Sequence, residues 1–291
     1  MWQNAKRFLI NNNPGNLRRA RIREEYKKLV DAFCEKADGM GYPELRHYLW
    51  YHAVDLQNGL VTPGMFDYRA DLHKFGFPDN MKNMRVLDVG SATGFFAFEF
   101  EKRGAEVVSV ELPSFFDWDI APIKKIRDDM EKGLMKEHNV STPKEGTYCH
   151  LHGPFDFCSR VLDSKVKRCY STIYDLNEEK LGNEGFDIVF LGDILLHVFS
   201  PLDAIVSVAR FCRGTMVILQ PDPAIWTRLP VMVFAGTRSG RTWWLPSRKC
   251  FERMLHVAGF GNIEVMAKLK NLTRLTGETL TQMVIHAKME K

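Results

Sequence analysis

Hydrophobic and polar positions along this chain fall into two periods. The run Val86-Leu87-Asp88-Val89 is apolar apart from one acid and breaks into small residues at Gly90–Gly94. Phe95, Phe96, Phe98 and Phe100 follow, before Glu101-Lys102-Arg103-Gly104. This order predicts a buried strand, a tight turn and a helix whose N-terminus faces a ligand. Further apolar runs at Glu106–Val110, Arg168–Ile173, Phe186–Gly192, Thr215–Leu219, Ile263–Met266 and Met283–Ala287 read as strands. Helical spacing recurs over Asn16–Lys36 (Leu17, Ile22, Tyr26, Leu29, Val30, Phe33) and Pro154–Leu162. Two more helices are signalled from Ser200-Pro201 to Cys212 and from Pro246-Ser247 to Gly259. Gly133–Thr147 is polar and reads as loop. Strands alternating with helices predict an α/β fold with a doubly wound, mainly parallel sheet. The chain divides into a helical basic arm, 1–45, and a main domain, 46–291, with insertions at 112–167 and 220–245.

Composition narrows this picture only modestly. At 291 residues and 45% hydrophobic, the chain can bury one large core plus an appendage. No apolar run approaches the ~20 residues of a membrane helix, and Met1-Trp-Gln-Asn-Ala-Lys-Arg does not read as a signal peptide. Cys34, Cys149, Cys158, Cys169, Cys212 and Cys250 lack Cys-x-x-Cys spacing and read as reduced thiols, predicting a cytoplasmic protein. Cys149-His150-Leu-His152 with Cys158 matches no standard zinc spacing, so no metal is expected. Charge is the uneven feature. Residues 1–28 carry eight Lys/Arg (Lys6, Arg7, Arg18, Arg19, Arg21, Arg23, Lys27, Lys28) against Glu24 and Glu25. Such an arm suits phosphate contacts, tRNA included, or serves as a solvated helix face.

The glycine turn decides between two cofactor classes. A dinucleotide fingerprint wants Gly-x-Gly-x-x-Gly, with the middle glycine admitting a pyrophosphate. Here the turn is Gly90-Ser91-Ala92-Thr93-Gly94, with alanine in the middle. It suits a cofactor without phosphate. Glu111 ends the next strand 21 residues past Gly90, where a doubly wound fold places the acid that grips a ribose. The string Leu-Asp-Val-Gly-x-x-x-Gly resembles motif I of class I S-adenosylmethionine-dependent methyltransferases. Trp50-Tyr51-His52, Thr62-Pro63-Gly64, Phe66-Asp67-x-Arg69, Tyr174-Asp175-Leu176, Gly192-Asp193-x-Leu-Leu-His197 and Ser200-Pro201-Leu202 occur around it in order. Together, over residues 45–290, they look like the methyltransferase family that includes the bacterial tRNA wobble-uridine carboxymethyltransferase. One departure is Leu196, where that enzyme carries the tyrosine that helps hold a carboxylated cofactor. The resemblance therefore implies ordinary S-adenosylmethionine on a Rossmann-like seven-stranded sheet, and the 112–167 insertion departs from the tRNA enzyme too.

Roles follow from that placement. Gly90, Ser91, Ala92 and Gly94 would approach the amino-acid end of the cofactor, with Asp88 orienting the turn. Glu111 would bond the ribose, and Ile173, Tyr174 and Asp175 would border the adenine. Gly192 and Asp193 would border the methyl-bearing sulfur. His197, then His52, are the candidate bases, since histidine is the usual general base. Asp193 is grouped with them as a catalytic candidate. Trp50, Tyr51, Trp243, Trp244 and Arg241 are the candidate acceptor contacts. The aromatic segment 50–69 either covers the ligand or straps the sheet edge. The leading expectation is methyl transfer to a small molecule, against tRNA (carboxy)methylation or a cofactor-binding scaffold without turnover.

Overall fold

The computed structural model describes residues 14–120, 122–223, 228–236 and 241–290. Lys6 and Arg7 of the basic arm, and Trp226 and Arg238 of the 220–245 insertion, lie outside the described residues.

Strands β1 (Arg85–Val89), β2 (Glu106–Glu111), β3 (Lys167–Tyr170), β4 (Phe186–Gly192), β5 (Cys212–Pro221), β8 (Phe260–Thr273) and β9 (Glu278–Met289) form one sheet. A separate hairpin pairs β6 (Met232–Phe234) with β7 (Trp244–Pro246). The main sheet runs β3-β2-β1-β4-β5-β9-β8. Its first five strands are parallel, and β9 lies antiparallel between β5 and β8. Chain order reverses between β1 and β4, which pair through Val89 and Leu191. Helices therefore leave the sheet to opposite faces there, and a crevice opens at the strands' carboxyl ends.

Core residues lie on both faces of the sheet. One face buries Val86, Phe190 and Val217 against helix α2 (Phe95–Lys102), α5 (Gly153–Val161) and the 50–77 segment. The other buries Leu87, Val89 and Ile218 against α7 (Pro201–Ala209) and α8 (Arg248–Val257). Each strand contributes to both layers because alternate side chains point to opposite faces.

Several expected boundaries move. The third strand ends at Tyr170, and Ser171–Asp175 turns instead of continuing the ladder. Helix α7 stops at Ala209, because Cys212 already pairs with Phe186 in the sheet. Gly133–Thr147, expected as loop, is mostly helical: it holds the end of α3 (Lys124–His138) and the whole of α4 (Pro143–Thr147). Helix α3 buries only Leu134 and His138, so it shows little apolar periodicity. Helix α4 starts from a capping box between Thr142 and Glu145. In the basic arm, α1 (Pro14–Gly39) buries Phe33 and Ala37 but leaves Leu17 and Leu29 exposed. The amphipathic face is thus covered only near its C-terminal end. Among the described residues no helix is long and apolar enough to cross a membrane.

Candidate functional site

A cavity of about 1190 Å³, counting its open mouth, occupies the crevice between β1 and β4.

One end of the cavity is built from the turn after β1. Gly90 (φ +74) and Ala92 (φ +48) both take left-handed backbone, which brings main chain to the cavity wall. A Cβ on Gly90 would meet Ile194 Cδ1 at 3.1 Å. The Ala92 N–H donates to Glu111 Oε2 at 2.9 Å, and the Leu112 N–H donates to Oε1 at 2.9 Å. Glu111 is thereby held at the end of β2, facing the cavity. Arg168, on β3, fixes the same turn from behind. Its Nη1 donates to Ser91 Oγ and to Ser109 Oγ, and its guanidinium stacks 4.0 Å over the Phe155 ring.

Two buried acids close this end. Asp88 and Asp193 both have carboxyl groups pushed up to about 7, burial being the main cause. Arg168 pulls Asp88 back down in part, and Gln282 does the same for Asp193. The Gln282 Nε2–H donates to Asp193 Oδ2, while Asp193 Oδ1 and Asp88 Oδ2 have no hydrogen-bond partner. Asp193 also adopts φ +51, which turns its side chain from the end of β4 into the cavity.

The 50–69 segment both lines the cavity and straps the fold. The His52 N–H donates to Thr93 Oγ1, and Thr62 Oγ1 donates to the His52 carbonyl. A Cβ on Gly64 would fall 1.9 Å from the Ala53 nitrogen, so the strap needs glycine there. Tyr51, His52 and Tyr68 reach the cavity wall. Burial among Tyr51, Tyr68, Phe95 and Phe96 drops the His52 imidazole to about 3. It stays neutral, and its Nδ1 lacks a partner.

His197 lines the cavity away from the glycine turn. Its Nδ1 bonds the Arg241 carbonyl, which can only accept, so Nδ1 carries the proton and Nε2 keeps its lone pair. Burial lowers its basicity, partly offset by that bond. Trp118 lies 5.3 Å from its ring, and Arg241 lines the same wall. Asp119 ties the rim together: Oδ2 accepts from Tyr174 Oη at 2.8 Å and from the Phe199 N–H.

Thirteen of the residues singled out by sequence converge on this cavity: Asp88, Gly90, Ser91, Ala92, Glu111, Ile173, Tyr174, Gly192, Asp193, His197, His52, Tyr51 and Arg241. Five do not line it. Gly94 faces protein, since a Cβ there would sit 2.6 Å from both Phe155 and Phe98. Asp175 is exposed, accepting from Thr172 Oγ1 at 2.5 Å. Trp50 is core, packed on Phe33 and bonded to the Leu45 carbonyl. Trp243 donates from Nε1 to the Asp119 carbonyl at 2.6 Å, and Trp244 donates to the Phe199 carbonyl at 2.9 Å. These two indoles pin the 220–245 insertion to the rim. Sequence reasoning passed over Arg168, Tyr68, Trp118, His150 and Gln282. Tyr68 lies in the aromatic 50–69 segment and His150 in the Cys149–His152 run that the sequence had marked, whereas Arg168 and Gln282 carried no local signal.

The residues present fit S-adenosylmethionine. An unpartnered buried carboxylate oxygen costs ~1–3 kcal/mol or more, and Asp88 and Asp193 each offer one. A ligand with an ammonium and a sulfonium brings the positive charge these acids lack. The Cys149–His152 run holds a different arrangement. Glu137, His138 and His150 bring ligand-type atoms within 4.8 Å of one another, and the two imidazoles hydrogen-bond each other at 3.0 Å. Cys158 sits apart in the core, its thiol pushed up by burial.

A family model described as a methyltransferase domain matches residues 64–265. No curated protein matches the chain. Among solved structures, the N-terminal domain of EvdMO1 with SAH bound is 16% identical, with a TM-score of 0.47 over 76% of this chain and 79% of that one. The 1,6-didemethyltoxoflavin-N1-methyltransferase of Burkholderia thailandensis is 14% identical, with a TM-score of 0.46 over 72% of each chain. The magnesium protoporphyrin IX methyltransferase of Synechocystis is 15% identical, with a TM-score of 0.43 over 72% of this chain and 76% of that one. The family match covers the glycine turn, Glu111, Asp193, His197 and Arg241.

Proposed function

Because this chain belongs to the methyltransferase-domain family, we propose that it transfers a methyl group to a small-molecule acceptor bound beside His197. It is an S-adenosylmethionine-dependent methyltransferase; the proposal concerns the acceptor and the residue roles. The observation that carries it is one continuous cavity with two unlike ends. Gly90, Ala92, Glu111 and the two buried acids line one end, and His197, Trp118 and Arg241 line the other.

S-adenosylmethionine, when bound, supplies an electrophilic methyl group on a sulfonium that leaves as a neutral thioether. The protein's share is placement and proton handling. Glu111 presents two carboxylate oxygens at the end of β2, suited to ribose hydroxyls. Asp88 and Asp193 supply negative charge at the amino-acid end. Tyr51, Tyr68 and Trp118 exclude water and hold the acceptor near collinear with the methyl. His197 Nε2, lone pair outward, takes the proton of an acceptor hydroxyl or amine. His52 has no such access to a favourable charge, since its aromatic surroundings oppose protonation.

The small acceptor is favoured over tRNA by the engagement of the basic arm with its own fold. Arg19 faces Glu278 at 3.5 Å, Arg21 bonds Glu25, and Arg23 donates to the Thr276 carbonyl. The test is product detection by mass spectrometry, with S-adenosylmethionine offered alongside either metabolite extract or total tRNA. A methylated small product supports the reading, and transfer only to tRNA overturns it. With the acceptor in hand, His197→Ala should lower kcat by ~10²–10⁴-fold, the usual weight of a general base. An unchanged kcat would remove His197 from that role.

A further inference from the structure

The wall beside His197 carries a guanidinium with no ion-pair partner among the described residues, although Asp117 and Asp119 also line the cavity. Among the described lining residues Arg241 is the one permanent cation. Its guanidinium carbon lies 5.0 Å from the Phe115 ring centroid and 5.6 Å from that of Trp118. No carboxylate of the described residues forms an ion pair with it, and Glu137 acts only at longer range. An arginine packed against aromatic rings, half-buried and without an ion-pair partner among the described residues, is a prepared anion site.

Burial opposes the charged forms of His150 and His197 beside it, so these rings add no second cation to the wall. His138 Nδ1 bonds the His47 carbonyl at 2.6 Å, so that nitrogen carries hydrogen. In the neutral ring its Nε2 accepts from His150 Nδ1 at 3.0 Å. That leaves His150 Nε2 as a lone pair, on a ring that lines the cavity and packs on Phe115. His197 is set the same way through the Arg241 carbonyl. The wall therefore presents one guanidinium fork and two imidazole lone pairs, against flat aromatic surfaces. The opposite end presents Asp88, Glu111 and Asp193.

Resting on the methyltransferase reading above, we propose that the acceptor is a small planar carboxylic acid, docked with its carboxylate on Arg241. A single guanidinium fork matches the two oxygens of a carboxylate, whereas a phosphate dianion calls for more than one cation. The ring of the acid lies against Trp118, which lines the cavity beside Arg241. A hydroxyl or amine elsewhere on it reaches a histidine lone pair and is the group to be methylated.

Benzoate and benzamide, which differ in charge but hardly in shape, are the probes. Each is titrated by calorimetry into full-length protein saturated with S-adenosylhomocysteine. Benzoate should bind at least ten-fold more tightly than benzamide. Arg241→Gln should erase that preference, and Arg241→Lys should restore part of it, with S-adenosylhomocysteine affinity unchanged in both. Equal binding of the two probes by the wild type, or a preference that survives in Arg241→Gln, overturns the proposal. Wild-type protein that fails to bind S-adenosylhomocysteine at all would instead overturn the cofactor reading beneath it.

Discussion

Lowering pH should loosen the cofactor, by an amount the two buried acids set. Asp88 and Asp193 both titrate near about 7, because burial opposes their ionised forms. Cofactor binding favours those ionised forms, since its ammonium and sulfonium bring positive charge to carboxylates that burial has stripped of water. An acid of pKa ~7 that must be ionised weakens apparent binding ~11-fold at pH 6 and ~1.3-fold at pH 7.5. The difference is ~8-fold for each acid that must ionise, or ~1.2 kcal/mol. If both must ionise independently, the loss compounds to ~70-fold. The cofactor's own α-amino group stays mostly protonated below ~7.7, so it does not mask the effect over this range. Calorimetry at pH 6.0, 6.75 and 7.5, repeated in two buffers of unlike ionisation enthalpy, reads both the affinity and the protons released. Asp193→Asn should remove one of the two steps. An affinity that stays flat from pH 6.0 to 7.5, with no proton release, would refute the link between these acids and the bound cation.

The same acids make an opposite prediction for the ligand-free protein. Asp193 is harder to ionise folded than unfolded, so ligand-free stability should decline as pH rises from ~4 toward ~7 and then level off. Asp193→Asn should reduce that decline and raise Tm at pH 8 while weakening cofactor binding; a lower Tm would show the carboxylate is needed for folding. Gly94→Ala should destabilise the fold by ~2 kcal/mol or more in urea denaturation, because φ is +87 and the new Cβ would lie 2.6 Å from Phe155 and Phe98. An unchanged midpoint would mean those rings move aside freely.

What the sequence showed clearly was local. The glycine turn, the acid at the end of β2 and the run Phe186–Gly192 each follow from neighbouring residues, so their positions could be read directly. Asp193 and His197 came with the end of β4 for the same reason. What stayed hidden depends on contacts between distant segments. Arg168 meets Ser91 across 77 positions, and Gln282 meets Asp193 across 89. Nothing in one chain's residue pattern pairs them. The tryptophans misled because indoles suit a binding wall and an anchor equally well, and Trp243 and Trp244 are anchors. Helix α3 escaped notice because it is polar on nearly every side, yet it delivers His138 to His150. The resemblance to a tRNA-modifying enzyme pointed to the right fold. The narrower tRNA reading has no support in the family match, which specifies a methyltransferase domain and no acceptor.

The central claim is that the turn Gly90–Gly94 and Glu111 hold S-adenosylmethionine. Its most direct test is calorimetric titration of wild type and Glu111→Ala with S-adenosylhomocysteine and with NAD. Wild-type protein should bind S-adenosylhomocysteine with micromolar affinity, worth about −8 kcal/mol, and should not bind NAD. Glu111→Ala should lose ~1.5–3 kcal/mol of that binding, the weight of a charge-assisted hydrogen bond. Tight binding of NAD with no binding of S-adenosylhomocysteine would contradict the claim.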